Sequence, residues 1–324
     1  MTDSMFENNN RNDYFKKDLN LERSLEFLNS IIKDSGNNIL KEKPELPVIL
    51  IMGCARSGTT LLLQFLAETG NFSYPSNLIA RYYKNPMVGL LTQKVLLELD
   101  PLNQIGFDLK LNEKFNSNLG KTIGALSPSE YWYFWRQFFK FDENDNLTRA
   151  DFKGFLKKIS AFEIVTNKIP VLKGMIMNRE IEKLYMNFPK FIFIHVKRNE
   201  IENAVSLLNA RRKYFSDIKK WYSFKTLNYE DLRFKDPHEQ VIEQVYQTNI
   251  EIENQLLKIP SKNKIQIDYS EFCNNPISIY NLIKEKLKLF NYDISELMNK
   301  KLKFTDKVYD LNNLDKKKII SKIK

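Results

Sequence analysis

The run Val48-Ile49-Leu50-Ile51-Met52 is wholly apolar and mostly aliphatic, and the octet Gly53 to Thr60, GCARSGTT, follows it directly. A strand with every side chain apolar needs cover on both faces, which it finds only inside a sheet flanked by helices. After the octet, TLLLQFLAETG reads as a helix stopped by Gly70. IPVLKG, KFIFIHV and NKIQIDY are three further strand candidates, each followed by helical sequence, the last by NPISIYNLIKEKLKLF. Buried strands alternating with helices predict a parallel, doubly wound α/β sheet. Right-handed crossovers would gather the loops that follow the strands at one edge, where ligands bind.

The octet belongs to that edge. Its glycines permit close backbone approach, and successive N–H groups with the next helix N-terminus form an anion cradle. It nearly matches the phosphate loop G-x-x-x-x-G-K-[ST]. Gly53, Gly58 and Thr60 fit, but Thr59 stands at the lysine position and the cation is Arg56, inside the loop. A second informative stretch is FIFIHVKRNEIENAVSLLNARRKYF, Phe191 to Phe215. Arg198 follows the strand; Asn199 and Glu202 read as a capping box opening the helix. An arginine at a strand's carboxyl edge can grip a phosphate with a forked pair, and Ser206, eight residues on, could donate to the same group.

Together these stretches resemble the sulfotransferases that use 3′-phosphoadenosine 5′-phosphosulfate (PAPS). That family carries P-[RK]-S-G-T-T for the 5′-phosphosulfate and an Arg with a Ser eight residues later for the 3′-phosphate. Arg56-Ser57-Gly58-Thr59-Thr60 and Arg198/Ser206 match; Ala55 departs where the family usually has Pro. Lys173 in VLKGM resembles the family's lysine at a strand end, and IDYSEFCNNP, with Tyr269 and Pro276, its late segment. YPSNLIARYYKNP and SPSEYWYFW look most like bacterial members. The resemblance spans Pro47 to Phe290. It implies a three-layer, P-loop-like α/β fold with a central parallel sheet flanked by helices. It also implies transfer of a sulfuryl group from PAPS to a hydroxyl or amine, leaving 3′,5′-ADP. Arg56, Ser57, Gly58, Thr59, Thr60, Leu61, Arg198, Ser206 and Tyr269 would bind the cofactor, and Lys173 would balance charge on the bridging oxygen.

The general base is less direct. Where some relatives place a histidine two residues after the lysine, this chain has Met175, and no acid lies between Glu68 and Glu98. Glu130, in LSPSEYWYFW, is the candidate, with Tyr131, Trp132, Phe134 and Trp135 as an acceptor wall. Ser127, Pro128 and Glu130 also suit a second capping box, a purely structural role. Only two histidines occur, far from any Cys or acid pattern for zinc, so no metal is expected. His195 reads as a core residue and His238 as a surface residue at a helix start. Two alternatives stay open: a kinase-like phosphotransferase without its lysine, and a non-catalytic nucleotide- or polyanion-binding protein.

Composition bounds the rest. The net charge of +10 could suit nucleic acid, but nine lysines against four acids between Glu296 and Lys324 supply +5 of it. No basic block is interleaved with aromatics, so no nucleic-acid partner is expected; a small-molecule, carbohydrate or lipid acceptor is. Two cysteines, no apolar leader and no run of ~18 apolar residues suggest a cytoplasmic protein without a membrane span. The expected organisation is a disordered 1–20, an N-terminal helix and linker over 21–46, an α/β domain over 47–295, and a peripheral basic tail over 296–324.

Overall fold

A computed structural model describes residues 8–99, 116–297 and 304–323. Parts of the expected disordered start (1–7) and of the basic tail (298–303, 324) lie outside the described residues. Two short 3-10 turns precede α1 (Leu19–Ile32), which Asp18 caps by accepting from the N–H groups of Asn20 and Leu21. The apolar run is β1 (Val48–Gly53), and the octet leads into α2 (Thr59–Glu68). Then come β2 (Phe72–Ser73), α3 (Pro86–Gln93), a hairpin of β3 (Asn116–Asn118) and β4 (Lys121–Ile123), and α4 (Trp132–Phe138). A second hairpin, β5 (Phe139–Phe141) with β6 (Leu147–Ala150), precedes α5 (Phe152–Thr166), β7 (Ile169–Lys173) and α6 (Ile181–Asn187). The chain continues through β8 (Phe191–Lys197), α7 (Glu200–Phe215), α8 (Tyr229–Leu232), α9 (Pro237–Leu257) and β9 (Lys264–Asp268). It ends with α10 (Tyr269–Asn274), α11 (Pro276–Lys288) and α12 (Leu314–Ile320).

Five strands form one sheet in the order β2-β7-β1-β8-β9, every pair parallel. The alternation of side chains along β1 explains the layers. Val48, Leu50 and Met52 face one core with Leu172, Phe191 and Phe193, covered by residues of α4, α5 and α6. Ile49 and Ile51 face the other, with Leu62, Phe65 and Leu66 of α2 and Ile279 and Ile283 of α11. All six residues of β1 are buried, as a strand sandwiched between two helical layers requires. The expected three-layer α/β fold is therefore present. The two hairpins and short β2 carry no strong apolar alternation, and the sequence pattern did not mark them.

Several local expectations are corrected. Residues 8–20 are not a free coil: Asn12 donates from its backbone to the Tyr214 carbonyl at 3.0 Å, and Arg11 is buried. His238 does open α9, but it is buried between Asp236 and Asp315, 3.1 Å from each. Asn199 caps α7 by accepting from the Glu202 N–H at 3.2 Å, yet Glu202 does not return the bond. Its carboxylate instead accepts from Lys316 Nζ at 2.5 Å and from the Tyr309 N–H at 2.8 Å. The basic tail is thereby pinned across α7, not peripheral. His195 is a core histidine as expected, with Nε2 3.3 Å from Asn249 Oδ1.

Candidate active site

The sheet order turns outward in both directions from β1, so the loops after β1, β7 and β8 meet at one edge. Register aligns them: Gly53 pairs with Val196 and Ile51 with Lys173. The loop Cys54–Gly58 follows. Arg56 has φ 69 and Gly58 φ 107, both in the left-handed region. Gly58 has a second reason to be glycine: an added Cβ would stand 2.7 Å from Tyr269 Cε2 and closer still to Cδ2. Tyr269, the first residue after β9, thus packs directly against the loop.

Side chains hold the loop's carbonyls from behind. Asn178 Nδ2 donates to the Gly53 carbonyl at 3.0 Å, Asn203 Nδ2 to that of Ala55 at 2.8 Å, and Arg198 Nη1 to that of Arg56 at 3.3 Å. With those carbonyls turned away, the first N–H groups of α2, which lack intrahelical acceptors, face the other side. Burial pushes the Cys54 thiol up to about 12, so the loop cysteine is a packing residue and no nucleophile.

In front of the loop lies a cavity of about 320 Å³, lined among others by Arg56, Gly58, Thr59, Thr60, Leu61, Glu130, Lys173 and Tyr269. Lys173, 8% exposed at the end of β7, donates to Thr60 Oγ1 at 3.0 Å and to Glu130 Oε1. Trp132 Nε1 donates to the other oxygen, Oε2, at 2.6 Å. Glu130 is thus gripped from both sides, and the capping-box reading of it is overturned. Helix α4 begins only at Trp132, and the Ser127 hydroxyl bonds to the Ile123 carbonyl instead. Of the expected acceptor wall, Trp132 reaches the cavity, whereas Phe134 and Trp135 are fully buried in the core.

Three predicted cofactor residues sit apart from the cavity surface. Ser57 is buried, with its hydroxyl 2.8 Å from where a Cβ on Gly53 would stand. Ser206 is buried on α7. Arg198 lies behind the loop, its guanidinium 4.8 Å from the Tyr269 ring centroid and its Nη2 donating to the Lys307 carbonyl. Sequence reasoning missed Asn178, Asn203 and the contribution of Phe304, Thr305 and Lys307 from the basic tail, which line the same cavity. The asparagines stand a few residues past Lys173 and Arg198, but a single sequence gives such residues no distinctive pattern.

The arrangement suits a multiply charged anion. Arg56, Lys173 and Lys307 line the cavity against one carboxylate, Glu130. Arg56 Nε, Ser57 Oγ and Arg198 Nε are buried with no hydrogen-bond partner, which native interiors rarely tolerate unless a ligand or water serves them. A phosphosulfate nucleotide fits the cations that line the cavity, Arg56, Lys173 and Lys307, whereas Ser57 and Arg198 lie off it. Among the described residues, no three His, Cys, Asp or Glu side chains gather as a metal site, and no helix is long and apolar enough to cross a membrane.

Fold and site together define an α/β protein with a glycine-containing strand-to-helix loop at the switch point of a parallel sheet. The sulfotransferase family model matches residues 47–290, three quarters of the chain, and the chain belongs to that family. The fold is similar to that of sulfotransferase STF9 from Mycobacterium avium, with a TM-score of 0.50 at 15% identity, over 83% of this chain and 71% of that one. Sulfotransferase STF1 from Mycobacterium tuberculosis H37Rv aligns at 0.49 and 12% identity, over 93% of this chain and 75% of that one. Comparison with curated proteins returned no match.

Proposed function

We propose that the protein transfers a sulfuryl group from PAPS to a hydroxyl or amine of a small-molecule, carbohydrate or lipid acceptor, in line and without a metal. The observation that carries this reading is the Thr60–Lys173–Glu130 contact at the mouth of the loop, which sets a cation and a carboxylate side by side where the anion would end. Bound PAPS would supply an activated sulfuryl group on a good leaving group; the rest falls to this chain. Arg56 and the α2 N-terminus would hold the 5′-phosphosulfate, bordered by Thr59, Thr60 and Leu61. Ser57 would serve through its backbone and Tyr269 as the ring under the loop. Arg198 Nε and Ser206 would take the 3′-phosphate. Lys173 would neutralise the bridging oxygen as it takes the electron pair of the breaking S–O bond, a form of stabilisation that is usually large. Glu130 would accept the acceptor's proton as the new S–O bond forms. The reading fits a cytoplasmic enzyme: Cys54 and Cys273 are both free, buried thiols.

Isothermal titration with 3′,5′-ADP, 5′-AMP and ATP tests it. One charge-assisted hydrogen bond contributes ~1.5–3 kcal/mol, so 3′,5′-ADP should bind roughly 10- to 150-fold tighter than 5′-AMP. Equal affinities would remove Arg198 from the site. Tight ATP binding that requires Mg²⁺ would favour the phosphotransferase alternative.

A further inference from the structure

Beside the loop cavity lies a second, larger chamber of about 910 Å³. The two share Leu119, Gly120, Glu130, Trp132, Tyr222 and Ser223, so the chamber opens directly onto the Glu130 carboxylate. Its walls are the N-terminal segment, the β3–β4 hairpin and α4. Aromatic rings run along it: Trp132 and Phe224 lie 5.4 Å apart, Tyr222 and Tyr214 5.6 Å, and Tyr214 and Phe15 4.7 Å.

Away from Glu130 the lining changes character. Arg11, Lys17 and Arg136 border the chamber and not the loop cavity. Lys17 Nζ sits 4.4 Å from the Tyr133 ring centroid, touches the Tyr133 hydroxyl and lies 3.4 Å from Glu22 Oε2. Arg136 follows Tyr133 by three residues on α4, and the Arg11 guanidinium lies 5.8 Å from the Tyr214 ring centroid. Burial holds the Lys17 amine below its ordinary range; Glu22 opposes that shift, and the positive charges of Arg11 and Arg136 add to it. Asp18, Glu22, Glu130 and Asp145 border the chamber too, and Arg11 Nη1 donates to the Phe15 carbonyl at 3.2 Å, but with Lys16, Arg81 and Lys121 the cations outnumber the carboxylates, so an anion placed here meets net positive charge.

We propose that this chamber is the acceptor site, and that the acceptor has an apolar or aromatic body ending in a carboxylate-type anion held by Arg11, Lys17 and Arg136. The inference rests on the sulfuryl-transfer reading only for the role of Glu130. The reacting hydroxyl enters at Glu130, the body lies along Trp132, Phe224, Tyr222 and Tyr214, and the anion sits against the N-terminal segment. That segment is therefore a wall of the acceptor site, which accounts for its packing on α7.

Matched probes test it: 3-(4-hydroxyphenyl)propanoate and its neutral amide, each titrated calorimetrically into the full chain with and without 3′,5′-ADP. The carboxylate should bind at least tenfold tighter than the amide, with the preference shrinking at high salt. Lys17→Met should draw the carboxylate-to-amide ratio toward one, and Lys17→Arg should restore it. Unchanged 3′,5′-ADP affinity in Lys17→Met reports that the variant is folded. Equal binding of the two probes, no binding of either, or a ratio indifferent to Lys17→Met would overturn the proposal. A chain that keeps the carboxylate preference but binds no 3′,5′-ADP would support the chamber and refute the donor reading instead.

Discussion

Gly58→Ala is the sharpest test of the loop, because two independent obstacles meet at one atom. The first is conformational. Gly58 has φ 107 and ψ 3, a region that residues with a Cβ rarely adopt, at a penalty on the order of 1–3 kcal/mol. The second is steric. The new methyl would stand 2.7 Å from Tyr269 Cε2. Tyr269 cannot simply swing aside, since it is buried and the Arg198 guanidinium lies 4.8 Å from its ring centroid. Overpacking of this kind costs about 1–3 kcal/mol more. The strain falls on the loop that orients the α2 N–H groups, so 3′,5′-ADP affinity should drop at least tenfold, alongside a lower melting temperature. Tyr269→Ala in the Gly58→Ala background removes the clash but not the φ strain. Losing the buried ring costs stability of its own, so the signature is coupling: Tyr269→Ala should lower the melting temperature less in the Gly58→Ala background than in wild type. Calorimetric titration and thermal melts on the single and double variants give the cycle. A Gly58→Ala chain that binds 3′,5′-ADP within threefold of wild type would refute the account of the loop.

Other outcomes follow from the same geometry. Glu130→Gln keeps an acceptor for Trp132 Nε1 but removes the base, so turnover of labelled PAPS with phenol and alcohol panels should fall on the order of 10²–10⁴-fold; a loss of only a few-fold would return the base to another residue. Ending the chain after Leu297 removes Phe304, Thr305 and Lys307 from the cavity wall and should weaken 3′,5′-ADP binding tenfold or more in a chain that still melts cooperatively; unchanged affinity would make the tail peripheral after all. His195 is buried with Nδ1 unpartnered, and burial lowers its pKa from 6.5 to about 4. The unfolded chain therefore binds the extra proton first, and stability should fall as pH drops from about 6.5 to about 4. At 1.36 kcal/mol per pH unit that gap amounts to on the order of 3 kcal/mol. Urea midpoints for wild type and His195→Gln across that range check it: parallel curves would remove His195 as the source.

How much of this was legible follows from the range of each interaction. The β1 run, the octet and the later strands are local patterns, and pattern is enough when five apolar side chains in succession demand cover on both faces. Arg56 stood out within the octet itself and Lys173 through the family resemblance; both line the loop cavity. Glu130 was legible only as a residue type, and its neighbours argued for a helix cap. What argues against the cap is a contact 43 residues away, with Lys173, and no periodicity encodes it. The tail was misjudged by the same limit. Its lysines read as solvated charge, but Lys316 reaches a buried carboxylate 114 residues back, Glu202, and the Lys307 carbonyl reaches Arg198 across 109. A charge run predicts solvent until a specific buried partner exists, and that partner was Glu202, itself mistaken for half of a capping box. One carboxylate thus accounts for both errors: once Glu202 is spent on the tail, α7 keeps only its Asn199 cap, and the C-terminal segment is drawn onto the wall of the loop cavity.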